Sequence, residues 1–173
     1  MKVKHIGVMV ALLAVGSVAR AADLPQPPKN VNVEPTTPKA AALTSRAASA
    51  EMTGNPQAAL KLAERAIVAN PRDPWAYYDK AMALAQVGQL DRALDSFGAA
   101  EQRYSATDRW GKSVAIYGRA HALSEVGRCD EARKAFRAYA SLIREQDPKS
   151  ADMAMKYAVD CRAPIGPPVA AHR

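Results

Sequence analysis

AMALAQVGQLDRALDSF, residues 81–97, returns as AHALSEVGRCDEARKAF, residues 120–136. Eight of the 17 positions are identical: Ala81/Ala120, Ala83/Ala122, Leu84/Leu123, Val87/Val126, Gly88/Gly127, Asp91/Asp130, Ala93/Ala132 and Phe97/Phe136. Each copy reads as a helix hairpin. The first helix carries apolar residues at helical spacing, as in Tyr77, Ala81, Leu84 and Val87. Gly88 or Gly127 ends it, since glycine takes the left-handed conformation a helix C-terminus needs. The second helix places Ala93, Phe97 and Ala100 on one face.

Working outward, an earlier copy lies 34 residues upstream. Gly54, Ala59, Leu60 and Ala66 precede Gly88, Ala93, Leu94 and Ala100 by that interval. Asn70-Pro71 and Asp73-Pro74 punctuate the junction between these two copies. The later copy is offset by 39, and the five additional residues fall around Asp108–Lys112. They lengthen the first helix of that copy by more than one turn. Abundant alanine and sparse β-branched runs agree with an all-α chain. A hairpin of this size cannot bury its apolar face alone and must stack on its neighbours.

A 34-residue helix–turn–helix period with these residues resembles the tetratricopeptide repeat family. The small residue midway along the first helix is Ala47, Ala81 and Ala120, and the helix-ending glycine is Gly54, Gly88 and Gly127. The small residue early in the second helix is Ala59, Ala93 and Ala132, followed by Phe97 and Phe136. Ala66 and Ala100 fit the next small site, and Pro71 fits the closing proline. The first copy departs from the pattern at Arg46 and Ala63, and the third at Tyr139 and Pro148. The resemblance implies a short right-handed α-solenoid over residues 39–161. Its repeats run over about 40–73, 74–107 and 113–146, with a capping helix at 149–161. In that last helix Met153, Tyr157 and Val159 are expected to face the last repeat.

Cys129 and Cys161 are the two cysteines of the chain. Cys129 falls in the first turn of the third copy's second helix and Cys161 at the end of the capping helix. Consecutive antiparallel helices bring those two ends together, so a disulfide is expected in an oxidising compartment. The alternative is a pair of buried thiols. A loop of 161 − 129 = 32 intervals corresponds to roughly 3–4 kcal/mol in the chain-entropy picture.

The compartment is argued from the N-terminus. A basic start, MKVKH, precedes a run of 14 residues without charge, Ile6–Ala19. Ala19-Arg20-Ala21 then offers small residues for cleavage between Ala21 and Ala22, the pattern of a secretory signal peptide over 1–21. The run is shorter than the ~20 residues of a membrane span, so no stable membrane insertion is expected after cleavage. The destination is periplasmic or secreted. Residues 22–38 are a proline-rich leader and 162–173 a proline-rich tail. The formal charge of +7 loses Lys2, Lys4 and Arg20 with the signal, giving 7 − 3 = +4. This mild basic excess leaves an anionic envelope ligand as an alternative partner. Nucleic acid is not expected for an exported chain.

The sequence carries no catalytic set. Of three histidines, His5 lies in the signal and His172 in the tail, leaving His121 in the repeats. A histidine metal cluster cannot be built from it. Ser124 and Glu125 share its helix surface, a spacing ordinary polar faces also produce. Nucleotide-loop and zinc-protease signatures are absent. No cofactor, no metal and no enzymatic activity are expected. What the family resemblance implies instead is a groove lined by the first helices that takes a peptide or protein segment. The second copy would present Trp75, Tyr78, Met82 and Gln86, and the third Val114, Tyr117, His121 and Glu125. The first would present Thr44, Ala48, Glu51 and Met52. Trp75 and Tyr78 could instead pack between repeats. The Lys and Asn clamp with which some family members hold a terminal carboxylate is missing. The expected role is a non-enzymatic periplasmic adaptor or scaffold, in the service of an envelope assembly such as a secretion, pilus or outer-membrane machinery.

Overall fold

The computed structural model describes residues 37–160. They form seven helices: α1 (Pro38–Met52), α2 (Pro56–Ala69), α3 (Pro74–Gln86), α4 (Leu90–Arg103), α5 (Arg109–Glu125), α6 (Cys129–Ile143) and α7 (Pro148–Asp160). No strand occurs among the described residues. The expected signal, residues 22–36 of the expected leader and the tail lie outside them, as does Cys161; Thr37 and Pro38, assigned to the leader, instead cap and open α1.

Local sequence starts and stops each helix. Proline opens α1, α2, α3 and α7, where its missing N–H would have no helical partner anyway. Side chains cap five of the starts: Thr37, Asn55, Asp73, Asp108 and Asp147 accept from the amides of Ala40, Ala58, Trp75, Gly111 and Ser150. Such caps each contribute about 1 kcal/mol. Helices α4 and α6 have no side-chain cap and begin instead with Asp91 and with Asp130 and Glu131. Negative charge there favours the positive end of the helix dipole.

The first helix of every hairpin stops by one device. Gly54, Gly88 and Gly127 have φ of 73°, 77° and 77°. The amide after each glycine returns to the carbonyl five residues earlier: Asn55 to Ala50, Gln89 to Leu84, Arg128 to Leu123. The glycine amides bond to Glu51, Ala85 and Ser124. This pair of bonds satisfies carbonyls that the helix end would otherwise orphan. Three-residue turns then reverse the chain, so the partners pack antiparallel.

Helices pack on their sequence neighbours throughout. In addition α1 touches α3, and α3 touches α5, whereas the second helices have no comparable contact across repeats. The stack therefore curves with α1, α3 and α5 on its inner side. The small-residue positions are where the helices meet: Ala47, Ala81, Ala120, Ala59, Ala93 and Ala132 are wholly buried. Phe97 and Phe136 fill the spaces between hairpins and are buried too. Truncating such a ring to alanine costs about 3–5 kcal/mol. These features make the expected all-α solenoid the observed one.

The five additional residues are also accounted for. Helix α5 has 17 residues against 13 in α3. The link before it, 104–108, has one residue more than 70–73. Four of the five thus extend the helix by about one turn.

One packing expectation fails. In α7 it is Ala151, Ala154 and Ala158 that are buried, while Met153 and Val159 are exposed. Alanine lets α7 approach α6 closely, and the longer side chains are left outside. Tyr157 is partly exposed yet its ring still reaches His121 at 5.1 Å and Phe136 at 5.6 Å.

Candidate partner-binding face

The inner side formed by α1, α3 and α5 divides into two aromatic regions. The first is centred on Trp75, in the opening turn of α3. Its ring lies 5.7 Å from Tyr78, 5.4 Å from Tyr104 and 5.3 Å from Trp110. Tyr104 ends α4, and Trp110 belongs to the residues that enlarge the third hairpin. Gly111 makes room for them, since a Cβ there would collide with the Tyr104 ring and sit 2.8 Å from Asp108 Oδ2. The second region gathers Tyr117, His121, Phe136, Tyr139 and Tyr157 where α5, α6 and α7 meet, with Tyr117 and His121 rings 4.5 Å apart. Edge-on arrangements of this kind add about 0.5–1.5 kcal/mol per pair beyond area burial.

This packing settles where the expected groove residues stand. Tyr78, Met82 and Tyr117 are buried in the main core cluster, so they are not solvent-facing anchors. Their neighbours cover them: Trp75 and Phe97 over Tyr78, and Tyr139 and Phe136 over Tyr117. Val114 is buried too. Trp75, Gln86, His121 and Glu125 are half-buried and remain on the face. On α1, Thr44, Ala48 and Glu51 are half-buried and Met52 is exposed. Cys129 opens α6, and α7 ends at Asp160, immediately before Cys161.

Between α1 and α3 the face opens into a cavity of about 230 Å³ lined by Ala41, Thr44, Ser45, Ala48, Trp75 and Asp79. Carboxyl groups concentrate beside it. Asp79 is 5% exposed, and its Oδ2 has no hydrogen-bond partner. Burial, and then Asp73, push it well above the ordinary carboxylate range. Burial also raises Glu51 to about 9, with Asp79 adding to the effect, and Glu51 Oε1 is likewise without a hydrogen bond. The Tyr78 phenol is pushed up by burial, then by Glu51 and Asp79. Such surroundings disfavour the charged form of each group. At the far end of the face Glu125 is raised by burial alone. No group of three His, Cys, Asp or Glu among the described residues could hold a metal ion. No described helix is long and apolar enough to cross a membrane.

A family model for the tetratricopeptide repeat matches residues 62–95, which span the second half of α2, all of α3 and the start of α4. The fold is similar to the TPR2B domain of yeast Sti1, solved in a complex with pHsp70. The TM-score is 0.64 at 18% identity, over 73% of this chain and all of that one. The chain thus carries a segment similar to a tetratricopeptide repeat and shares the fold of a tetratricopeptide-repeat domain. No curated protein sequence matches it.

Within the tetratricopeptide-repeat frame, two features of the face escaped the sequence reading. Asp79 was hidden among aromatic and apolar neighbours, although its place four residues after Trp75 puts both on one helix surface. Trp110 and Tyr104 lie in the stretch that departs from the repeat period, so no repeat position pointed to them.

Proposed function

We propose that this repeat protein is a non-enzymatic scaffold that binds an extended segment of a protein partner along α1, α3 and α5. The observation that carries this reading is the cavity between α1 and α3, open on the inner side of the stack and walled by Trp75. Repeat solenoids use their inner surfaces for extended ligands. The similarity to a domain solved in a complex with pHsp70 is in keeping with it. The N-terminal pattern supports export, with action in the periplasm on an envelope assembly, and an oxidising compartment would permit Cys129 to pair with Cys161. A carrier of an anionic envelope ligand is the weaker reading. Its support is net charge, whereas Asp79, Glu51 and Glu125 place carboxyl groups rather than cations on the inner face.

The test is crosslinking capture from envelope fractions, with Ala48→Leu beside the wild type. Leucine at 48 fills the cavity without adding charge. A partner captured by the wild type and lost from the folded variant supports the groove. Partners retained by the variant would place binding elsewhere on the molecule.

A further inference from the structure

We propose that the cavity between α1 and α3 is a pocket for a lysine side chain of the bound polypeptide, with Asp79 as its counter-ion and Trp75 as the wall along its stem. This deepens the scaffold reading and rests on it. The first ground is geometric. Asp79 lines the cavity, is almost fully buried, and leaves Oδ2 without a hydrogen bond. A buried carboxyl oxygen without a hydrogen bond carries a desolvation cost that nothing in the free protein returns. An ammonium group entering from the face would supply both donor and charge.

The second ground is the chemistry of the walls. Trp75 stands one helical turn from Asp79 on the same surface of α3, and Ala41 and Ala48 add carbon to the walls beside Thr44 and Ser45. A long alkyl stem tipped by a cation fits such a cavity, the stem against carbon and the head at its end. The indole face adds attraction for a cation. The Thr44 hydroxyl is already committed to the carbonyls of Ala40 and Ala41 and so does not compete for Asp79. Glu51 on the same helix adds a second carboxyl beside Asp79. Burial disfavours the charged form of both acids in the free protein, and an ammonium group beside Asp79 would favour that form, with release of any proton it holds. A metal is not the better occupant, for the described residues offer no cluster of ligands.

The test uses the peptide Ac-Ala-Ala-Lys-Ala-Ala-NH2, its norleucine analogue and putrescine, each titrated into the full chain. Binding is followed at the Trp75 indole N–H by nitrogen–proton correlation spectroscopy. The lysine peptide is expected to bind on the order of tenfold more tightly than the norleucine peptide, as a charged hydrogen bond implies. Asp79→Asn should remove that preference, and Glu51→Gln should reduce it, with Asp95→Asn as an exposed control. Equal binding of the two peptides, or a preference unchanged in Asp79→Asn, would overturn the pocket. Tighter binding of putrescine than of the lysine peptide would overturn the polypeptide source. The scaffold reading fails separately, when Ala48→Leu leaves partner capture intact.

Discussion

The ring of Phe97 on α4 lies against the backbone of Gly118 on α5, so closely that a Cβ at 118 would come within 2.5 Å of it. This contact joins the second hairpin to the third. Gly118→Ala would ordinarily help a helix by about 1 kcal/mol. Here the methyl must push aside a fully buried ring. Overpacking of that kind costs about 1–3 kcal/mol, and we expect a net loss of stability in urea denaturation. Phe97→Leu combined with Gly118→Ala should recover part of the loss. A double variant no more stable than the sum of the singles would refute the contact as the cause.

Gly88 makes the complementary case. A Cβ there would meet nothing within 4 Å, but φ is 77°. Gly88→Ala should therefore cost about 1–2 kcal/mol through the backbone alone. Gly88→Asn should cost less, because asparagine tolerates that conformation better. Thermal melts of the two variants decide it, and equal losses would contradict the backbone explanation.

The acids of the inner face give stability a pH dependence of definite sign. Glu51 goes from 4.5 to about 9 on folding. Between those values the folded chain holds a proton that the unfolded chain releases. Stability therefore falls as pH rises through that window. Asp79 acts in the same direction. Glu51→Gln is neutral throughout, so it should gain on the wild type steadily from pH 5 to pH 8. Chemical denaturation at several pH values is the measurement, and parallel profiles would show that Glu51 is ionised in the folded chain.

For the proposed Cys129–Cys161 pair, reduction should lower the melting temperature of the oxidised chain. Cys161→Ser should reproduce the reduced value. The chain-entropy estimate of roughly 3–4 kcal/mol is the upper scale of the effect. An unchanged melting temperature, or two titratable thiols in the protein as isolated, would remove the staple.

The repeat, its glycines and its small positions were legible in the sequence because each answers to a local steric demand. Gly54, Gly88 and Gly127 had to be glycine for their φ, and Ala81 and Ala120 had to be small for neighbouring helices to approach. The burial of Tyr78 and Tyr117 was not legible. Helical spacing assigns a side chain to a stripe but does not say what covers it. At Tyr78 the cover includes Trp75 of its own helix, and at Tyr117 it is Tyr139 of α6. On α7 the larger residues Met153 and Val159 drew attention from the alanines that make the contact. Asp79 was invisible for a related reason, since its significance lies in what α1 places opposite it across the cavity.

The two edges of the stack are connected by different rules. At one edge every turn has three residues and a left-handed glycine: 53–55, 87–89 and 126–128. At the other the links are 70–73, 104–108 and 144–147, of four, five and four residues. The first edge behaves like the spine of a bound book and the second like its fore-edge. Length can be gained at the fore-edge, as the enlarged third hairpin shows, without a leaf coming loose from the binding. New contacts for a partner can thus be acquired along one margin while the register of the whole is kept by the other.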